Sequence, residues 1–240
     1  MGNLFAKPFA LGIGPQTCGT EKLRYYFKGR EDVALPKVQE IFYFDRHVQR
    51  GPLFYKEHFD NVMASQLVME LTTTAFDHPQ APERAAELLG RDTKIFCLLR
   101  DPVERSYAVY QQYLNYSIVK GDIEKACEQA PQILYSSRYT DHINNWLKYF
   151  EEIYFLSYEQ LERNQDQALE QLCAYLELPF QKPKPSFDWQ AVLPKVWFAK
   201  NTTSSKTVKN SLERQEKAWL KKELSGERDS LKLLIEKDIF

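Results

Sequence analysis

The chain has 240 residues, of which 43% are hydrophobic, and a formal net charge of −1. This size and composition predict a single domain over residues 1–240. They argue against nucleic acid as a partner, since no basic field would attract it. The sequence has no run of 18 apolar residues and no secretory signal pattern, so we expect no membrane span and a cytoplasmic protein. Four cysteines without C-x-x-C spacing favour free thiols, with neither disulfides nor a metal site.

Residues 9–27 predict a buried strand, a glycine loop and the start of a helix. Residues 9–13 are apolar, Gly14 and Gly19 interrupt regular structure, and helical spacing begins at Thr20. The backbone N–H groups of such a loop and the helix N-terminus attract anions. The glycine spacing matches the phosphate-loop motif G-x-x-x-x-G-K-[ST], but no lysine lies between Gly19 and Thr20. The loop is therefore predicted to hold a phosphate-like group outside an ordinary ATPase, or to be a turn without a ligand.

Further strands and helices alternate along the rest of the chain. Residues 32–36 are predicted to form a turn, residues 182–186 a proline-rich connection and residues 202–209 a polar connection. Apolar runs predict strands at 41–44, 67–71, 95–99 and 153–156. Helical spacing predicts helices at 52–59, 82–89, 103–114, 143–150, 169–176, 212–224 and near Leu231.

This alternation predicts an α/β fold of three layers with a central, mostly parallel sheet. Ligands of such sheets bind at the carboxyl ends of the strands. The Gly14 loop, residues 70–74 and Arg100 all follow or end predicted strands. We therefore expect these three segments to meet in one crevice.

Four segments resemble motifs of the sulfotransferases that use 3′-phosphoadenylyl sulfate (PAPS), above all their bacterial and carbohydrate-modifying branch. Residues 13–23 read IGPQTCGTEKL, similar to a K-x-G-T loop, and residues 39–47 read QEIFYFDRH, similar to KE-hydrophobic-FFD. Residues 70–73 read ELTT, similar to EK-[ST]-P. Residues 98–110 read LLRDPVERSYAVY, similar to L-R-[DN]-P-x-x-R-x-Y-S-x-Y. The family-like runs RYTDHINNWLKYF, IYFLSYEQL and LCAYLELP follow.

The resemblance implies a P-loop-like sulfotransferase fold and transfer of a sulfuryl group from PAPS to a hydroxyl or amine. The product of the donor would be adenosine 3′,5′-bisphosphate, and no metal would be required. The acceptor would be a carbohydrate or another small molecule. The oligomeric state and the identity of the acceptor are left open.

The resemblance also implies roles for individual residues. The loop would cradle the 5′-phosphosulfate, Arg100 would bind the 3′-phosphate with its planar guanidinium, and Glu40 would take the proton from the acceptor. The family closes a C-terminal loop over the donor. The implied catalytic residues are Glu40, Thr17 and His142, and the implied donor-binding residues are Gln16, Thr17, Cys18, Gly19, Thr20, Glu21, Arg100, Ala108, Asn201 and Lys206.

Several of these assignments have structural alternatives that the sequence leaves open. Arg100 could pair with Asp101 or with a helix end, and Glu40 could form a salt bridge at the rim. His142 could be a packed residue of an amphipathic helix. Cys18 could be an activated thiolate at a helix N-terminus or a small packed residue.

Three positions depart from the family pattern. Thr17 replaces the loop lysine, Leu71 replaces the lysine of the third motif, and Ala108 replaces a serine on the 3′-phosphate. Lys22 would have to bend back to replace the loop cation, and the lysine-bearing segment 200–209 is another source. Two alternatives follow: a fold that binds nucleotide or a partner without turnover, and a kinase-like enzyme. The missing loop lysine and the lack of a magnesium-binding aspartate after a strand argue against the kinase.

Overall fold

Five parallel strands form the centre of the computed structural model, which describes residues 8–59, 62–63, 65–183, 206–236 and 239–240. The sheet has the order β2-β3-β1-β4-β5, so the first strand of the chain lies in the middle. All pairs within it are parallel. The strands are β1 (Phe9–Ile13), β2 (Val33–Ala34), β3 (Leu67–Thr72), β4 (Lys94–Leu99) and β5 (Ile153–Ser157).

Helices connect the strands and cover both faces of the sheet. A π-helical turn, Tyr43–His47, and a 3₁₀ turn, Val48–Arg50, precede the second helix. The α-helices of the described residues are α1 (Thr20–Phe27), α2 (Gly51–Lys56), α3 (Ala81–Leu89), α4 (Pro102–Asn115), α5 (Ile123–Gln129), α6 (Gln132–Tyr135), α7 (Tyr139–Leu147), α8 (Tyr158–Arg163), α9 (Gln165–Tyr175), α10 (Lys206–Glu223) and α11 (Glu227–Ile235).

Alternate residues of β1 enter two separate cores, which makes the fold three-layered. Phe9, Leu11 and Ile13 pack on one face against residues of α2, α3, α7 and α11. Ala10 packs on the opposite face with residues of α1, α8 and α9. Because both faces are covered, the strands are continuous apolar runs, as the sequence indicated. The predicted α/β fold with a central parallel sheet is confirmed.

The predicted strand at 41–44 is wrong. Phe42 has a left-handed backbone with φ 54°, and the π-helical turn begins at the next residue. Tyr43 and Phe44 still reach the core, where they lie against Tyr55 of α2 at ring-centroid distances of 5.1 and 5.4 Å. A short apolar run shows burial but does not distinguish a strand from a helical turn.

The second strand is instead β2, in the segment that was predicted to be a turn. It has only two residues, and Val33 and Ala34 pair with Leu67 and Val68 of β3. Near the C-terminus, the helix predicted to begin near residue 212 begins at Lys206, within the predicted polar connection.

Candidate functional site

The loop between β1 and α1 passes over the end of β4 in a conformation that requires glycine. Gly14 has φ +149°, and a Cβ atom at this position would overlap the carbonyl oxygen of Leu98. Gly19, with φ +96°, is the N-cap residue of α1 and has no side chain to cap the helix. The N–H groups of the first turn of α1 therefore donate to no cap side chain, which suits an anion.

Arg105 of α4 fastens this loop to the rest of the molecule. The side chain is 2% exposed, and its Nε donates to the carbonyl oxygen of Gln16 at 3.1 Å. Its Nη1 donates to the carbonyls of Gln132 and Ile133 at 3.0 and 3.1 Å. The Thr17 hydroxyl donates to the Arg105 carbonyl at 3.3 Å, so loop and helix are linked in both directions.

Arg100 follows β4 and contacts the same loop. Its Nη1 donates to the carbonyl of Thr17 at 3.4 Å, and its guanidinium carbon lies 4.6 Å from the centre of the Tyr158 ring. Asp101 caps α4 by accepting from the N–H groups of Val103 and Glu104 at 3.0 and 3.1 Å. The strand end and the loop thus meet, as the sequence predicted for residues at the carboxyl ends of parallel strands.

Lys22 of α1 lies against α8 and contacts the same Tyr158 ring as Arg100. Its amino group is 4.3 Å from the centre of the Tyr158 ring and forms an ion pair with Glu162. Burial, and secondarily the nearby Arg100, lowers the pKa of Lys22 to about 8. The predicted replacement of the loop cation by Lys22 would therefore require this ion pair to break.

Glu40 is held at the end of β3. The Thr73 hydroxyl donates to its Oε1 at 2.7 Å, and the Thr73 N–H donates to its Oε2 at 3.3 Å. Burial is the largest of the effects that raise the pKa of Glu40, and the charges of Glu21 and Asp45 add to it. A carboxylate with a raised pKa is a better proton acceptor than an ordinary surface glutamate.

Glu21 and Arg24 of α1 anchor the segment that carries Glu40. The Gln39 side chain donates to the Glu21 carboxylate, and the Arg24 guanidinium donates to the Gln39 carbonyl. Glu21, predicted to bind the donor, therefore contacts the segment that bears the predicted base. Because α1 also begins at the end of the loop, one helix connects the loop with the segment that carries Glu40.

Two clefts open near these residues. A cleft of about 560 Å³ is bordered by the loop, the end of β3 and the α4 and α6 helices. Its lining residues include Gln16, Thr73, Asp77, Arg105 and Tyr135. A larger cleft of about 980 Å³ begins at Asp101 and runs between α4, α8, α10 and α11. Its basic side chains are Arg163, Arg214, Lys217, Lys221, Arg228 and Lys232.

The contacts of two predicted residues match their structural alternatives. His142 is 6% exposed, its Nε2 lies 2.9 Å from the Tyr135 carbonyl, and its ring packs against Tyr135 and Phe76. Cys18 is fully buried, which raises the pKa of its thiol to about 12 and favours the packed residue over the thiolate. A catalytic role of His142 stays a prediction.

The remaining predicted residues lie in three places. Thr20 begins α1 and is buried, and Ala108 is half-buried on α4. Lys206 is the first residue of α10, and its side chain lies outside the described residues, as does Asn201.

The sequence interpretation gave no role to Arg105, Tyr158 or Glu70. Arg105 is the second arginine of the matched R-D-P-x-x-R segment, and Tyr158 belongs to the family-like run at 153–161. Glu70 was only the first residue of the segment 70–73 matched to EK-[ST]-P, and no role was assigned to it. A single charged residue within the apolar run of β3 was the available signal for it.

A family model described as "Sulfotransferase domain" matches residues 13–230, and the chain belongs to that family. A bifunctional heparan sulfate N-deacetylase/N-sulfotransferase 1 of Caenorhabditis elegans is 26% identical over 72% of this chain. The human heparan sulfate glucosamine 3-O-sulfotransferase 3B1 is 27% identical over 64% of it. The aligned parts are 22% and 42% of these relatives, so the chain matches less than half of each.

Solved structures agree on the fold. A sulfotransferase from Alicyclobacillus acidocaldarius superposes with a TM-score of 0.72 at 19% identity, covering 97% of this chain and 96% of that one. The mouse sulfotransferase SULT7A1, solved in complex with PAP, superposes with a TM-score of 0.53 at 11% identity. That match covers 98% of this chain and 91% of the mouse chain.

Among the described residues, no group of three or more histidine, cysteine, aspartate or glutamate side chains could hold a metal ion. No described helix is both long enough and apolar enough to cross a bilayer.

Proposed function

We propose that this chain transfers a sulfuryl group from PAPS to a hydroxyl or amine of a carbohydrate or small-molecule acceptor. One observation carries the proposal: Gln16 of the loop and Thr73, the residue that holds the Glu40 carboxylate, both line the cleft of about 560 Å³. The heparan sulfate sulfotransferases among the relatives support a carbohydrate acceptor.

The residues present fit an anionic donor at the loop. Gly14 leaves space where a side chain would overlap the strand end, and α1 begins without a side-chain cap. Arg100 supplies a guanidinium beside the Thr17 carbonyl, and guanidinium groups bind phosphate oxygens two at a time. PAPS, when bound there, supplies the sulfuryl group.

Glu40 is assigned the proton transfer. The acceptor oxygen or nitrogen forms a bond to sulfur while the bond from sulfur to the bridging oxygen of the donor breaks. The acceptor loses a proton to the Glu40 carboxylate, and the negative charge gathers on the bridging oxygen. Glu40 suits this role because Thr73 fixes both carboxylate oxygens and burial raises its pKa.

Turnover is expected to be slow because no loop lysine stabilises the negative charge that develops on the bridging oxygen. Thr17 occupies that position, and its hydroxyl already donates to the Arg105 carbonyl. Removing one preorganised donor from such a site costs on the order of 10²–10³ in rate. The same observation favours a second candidate function, in which the chain binds the nucleotide without transfer.

Transfer of labelled sulfate from PAPS to a panel of sugars, amines, phenols and water tests the proposal. The wild type should show slow transfer, and Thr17→Lys should raise kcat with little change in donor affinity, since a cation there binds the transition state preferentially. Glu40→Gln should lose about 10²–10⁴ in kcat with unchanged donor affinity. Glu170→Gln, an exposed carboxylate on α9, is the matched control.

The two candidate functions give different results in this experiment. If wild type and Thr17→Lys are both inactive while adenosine 3′,5′-bisphosphate still binds, the chain is a nucleotide-binding protein. If the nucleotide does not bind either, the assignment of the loop to PAPS is wrong.

A further inference from the structure

Lys22 is a buried lysine in the first turn of α1. Its side chain is 1% exposed, and its amino group forms an ion pair with Glu162 of α8. Its backbone N–H donates to the Gly19 carbonyl at 2.9 Å, so Lys22 directly follows the loop. Because helical side chains tilt towards the N-terminus of their helix, the side chain of Lys22 lies at the loop end of α1. A cation is thus buried beside the N–H groups that suit an anion.

The Tyr158 ring brings Lys22, Arg100 and the loop together. The amino nitrogen of Lys22 lies 4.3 Å from the centre of this ring, and the guanidinium carbon of Arg100 lies 4.6 Å from it. The two cations are therefore no further apart than the sum of these distances. The ring also packs on the loop, since a Cβ atom on Gly19 would come within 2.9 Å of a ring carbon. Two cations and the end of the loop thus meet at one aromatic ring.

The ion pair of Lys22 has one buried and one exposed partner. The Lys22 side chain is 1% exposed, whereas the Glu162 side chain is 47% exposed. A carboxylate on the surface is well solvated without its partner, and ion pairs with an exposed partner contribute little to stability. A phosphate group forms stronger, charge-assisted hydrogen bonds with a buried cation. Another anion can therefore replace Glu162 at the Lys22 amino group.

The charges around Lys22 favour such an anion. Burial, and secondarily the charge of Arg100, lowers the pKa of Lys22 to about 8. Two like charges at one ring oppose each other, and an anion that contacts both removes this opposition. Glu159, the other glutamate of α8 near this ring, accepts the backbone N–H of Asp101 at 3.1 Å. Glu162 is therefore the carboxylate that an incoming anion would have to displace.

We propose, on the basis of the proposed function, that Lys22 binds the same phosphate group of the donor as Arg100, and that this phosphate displaces Glu162 from the Lys22 amino group. Glu162 then competes with the donor for one cation. The role of Lys22 is in donor affinity, and the bridging oxygen beside Thr17 still lacks a lysine.

Calorimetry with adenosine 3′,5′-bisphosphate tests the proposal without requiring turnover. Lys22→Met should bind about tenfold to a hundredfold more weakly, the range for a hydrogen bond to a charged group. Glu162→Gln should bind about two- to fivefold more tightly, because the competing ion pair is removed. Lys28→Met and Glu170→Gln, at exposed positions of the same charge types, are the matched controls and should bind like the wild type.

The double variant separates competition from simple repulsion. In the Lys22→Met background, Glu162→Gln should bring no further gain, because Glu162 then has no cation to occupy. A gain of the same size with and without Lys22 would mean that Glu162 only repels the nucleotide, and the proposal would be wrong.

A second nucleotide tests whether Lys22 and Arg100 share one phosphate. Adenosine 5′-monophosphate lacks the 3′-phosphate that Arg100 is assigned to bind. Its affinity should therefore be the same for the wild type and for Lys22→Met. A loss as large as that for the bisphosphate would put Lys22 at the 5′-phosphate and refute the shared phosphate.

Glu162→Gln also covers the case in which Lys22→Met does not fold, because this variant retains the buried lysine. Affinity equal to that of the wild type would then contradict the proposal. If the bisphosphate binds but neither variant changes its affinity, only the role of Lys22 fails. If it binds to neither the wild type nor Glu162→Gln, the assignment of the loop to PAPS fails as well.

Discussion

Replacing Arg105 with methionine tests whether the loop is held in place by α4. Methionine has a similar length and no donor, so the substitution removes the hydrogen bonds from Arg105 while it retains much of the buried volume. Four acceptors lose a donor: the carbonyls of Gln16, Gln132 and Ile133 and the hydroxyl of Ser137. The Gln132 carbonyl keeps the Ser136 N–H, and the Ser137 hydroxyl keeps the Ser106 hydroxyl.

The expected loss of stability follows from how these acceptors are buried. Hydrogen bonds from a charged donor contribute about 1.5–3 kcal/mol each. Gln16 is half-buried and Gln132 is exposed, so water can replace the donor at their carbonyls. The Ile133 carbonyl is completely buried and would lose a partner that water cannot supply, whereas the buried Ser137 hydroxyl still accepts from Ser106. We therefore expect Arg105→Met to lower the free energy of unfolding by about 1.5–3 kcal/mol, mostly from the Ile133 carbonyl.

Urea denaturation followed by tryptophan fluorescence measures this loss, with Arg138→Met as a matched control at an exposed arginine. Calorimetry with adenosine 3′,5′-bisphosphate, at a temperature where the variant is folded, should show at least tenfold weaker binding because the Gln16 carbonyl is no longer fixed. A stability loss below about 1 kcal/mol together with unchanged nucleotide affinity would refute the assignment of Arg105 as the anchor of the loop.

Three further predictions concern the loop, Glu70 and Arg100. Gly14→Ala should destabilise the fold by several kcal/mol in urea denaturation, because its Cβ would overlap the Leu98 carbonyl and its φ is +149°; wild-type stability would contradict the described loop. Burial raises the pKa of Glu70 to about 7, so over this pH range the folded chain keeps a proton that the unfolded chain has released. The free energy of unfolding should therefore fall by about 3 kcal/mol as the pH rises from about 5 to 8. Glu70→Gln should remove that slope, and a slope that persists would be evidence against it. Arg100→Ala should weaken binding of adenosine 3′,5′-bisphosphate by about 1–3 kcal/mol in calorimetry, whereas equal affinity would exclude Arg100 from the nucleotide site.

The sheet could be predicted from the sequence wherever a strand is buried on both faces. β1, β3, β4 and β5 are continuous apolar runs, and a strand of a covered parallel sheet needs that composition. β2 has two residues, too few to produce any pattern. The strand predicted at 41–44 was wrong because the side chains of an aromatic run can be buried whether or not the backbone is extended.

The candidate site was predictable where chemistry follows from backbone geometry. Glycine spacing indicated the loop, and the strand end indicated Arg100. Arg105 lies in the matched R-D-P-x-x-R segment, but the main-chain carbonyls to which it donates could not be predicted from that pattern. The hydrogen bonds from Thr73 to Glu40 join residues 33 positions apart, a contact that periodicity does not encode.

The position of β1 has a consequence for how the chain is synthesised. Its partners are far along the chain: Phe9 pairs with Val68, 59 positions later, and Ala10 pairs with Lys94, 84 positions later. At 5–20 residues per second, a ribosome takes roughly 4–17 s to add the segment between β1 and its second partner. During that time the edges of β1 are unpaired, and an apolar strand in this state is prone to aggregate. Translation speed therefore sets how long the future centre of the sheet remains unpaired.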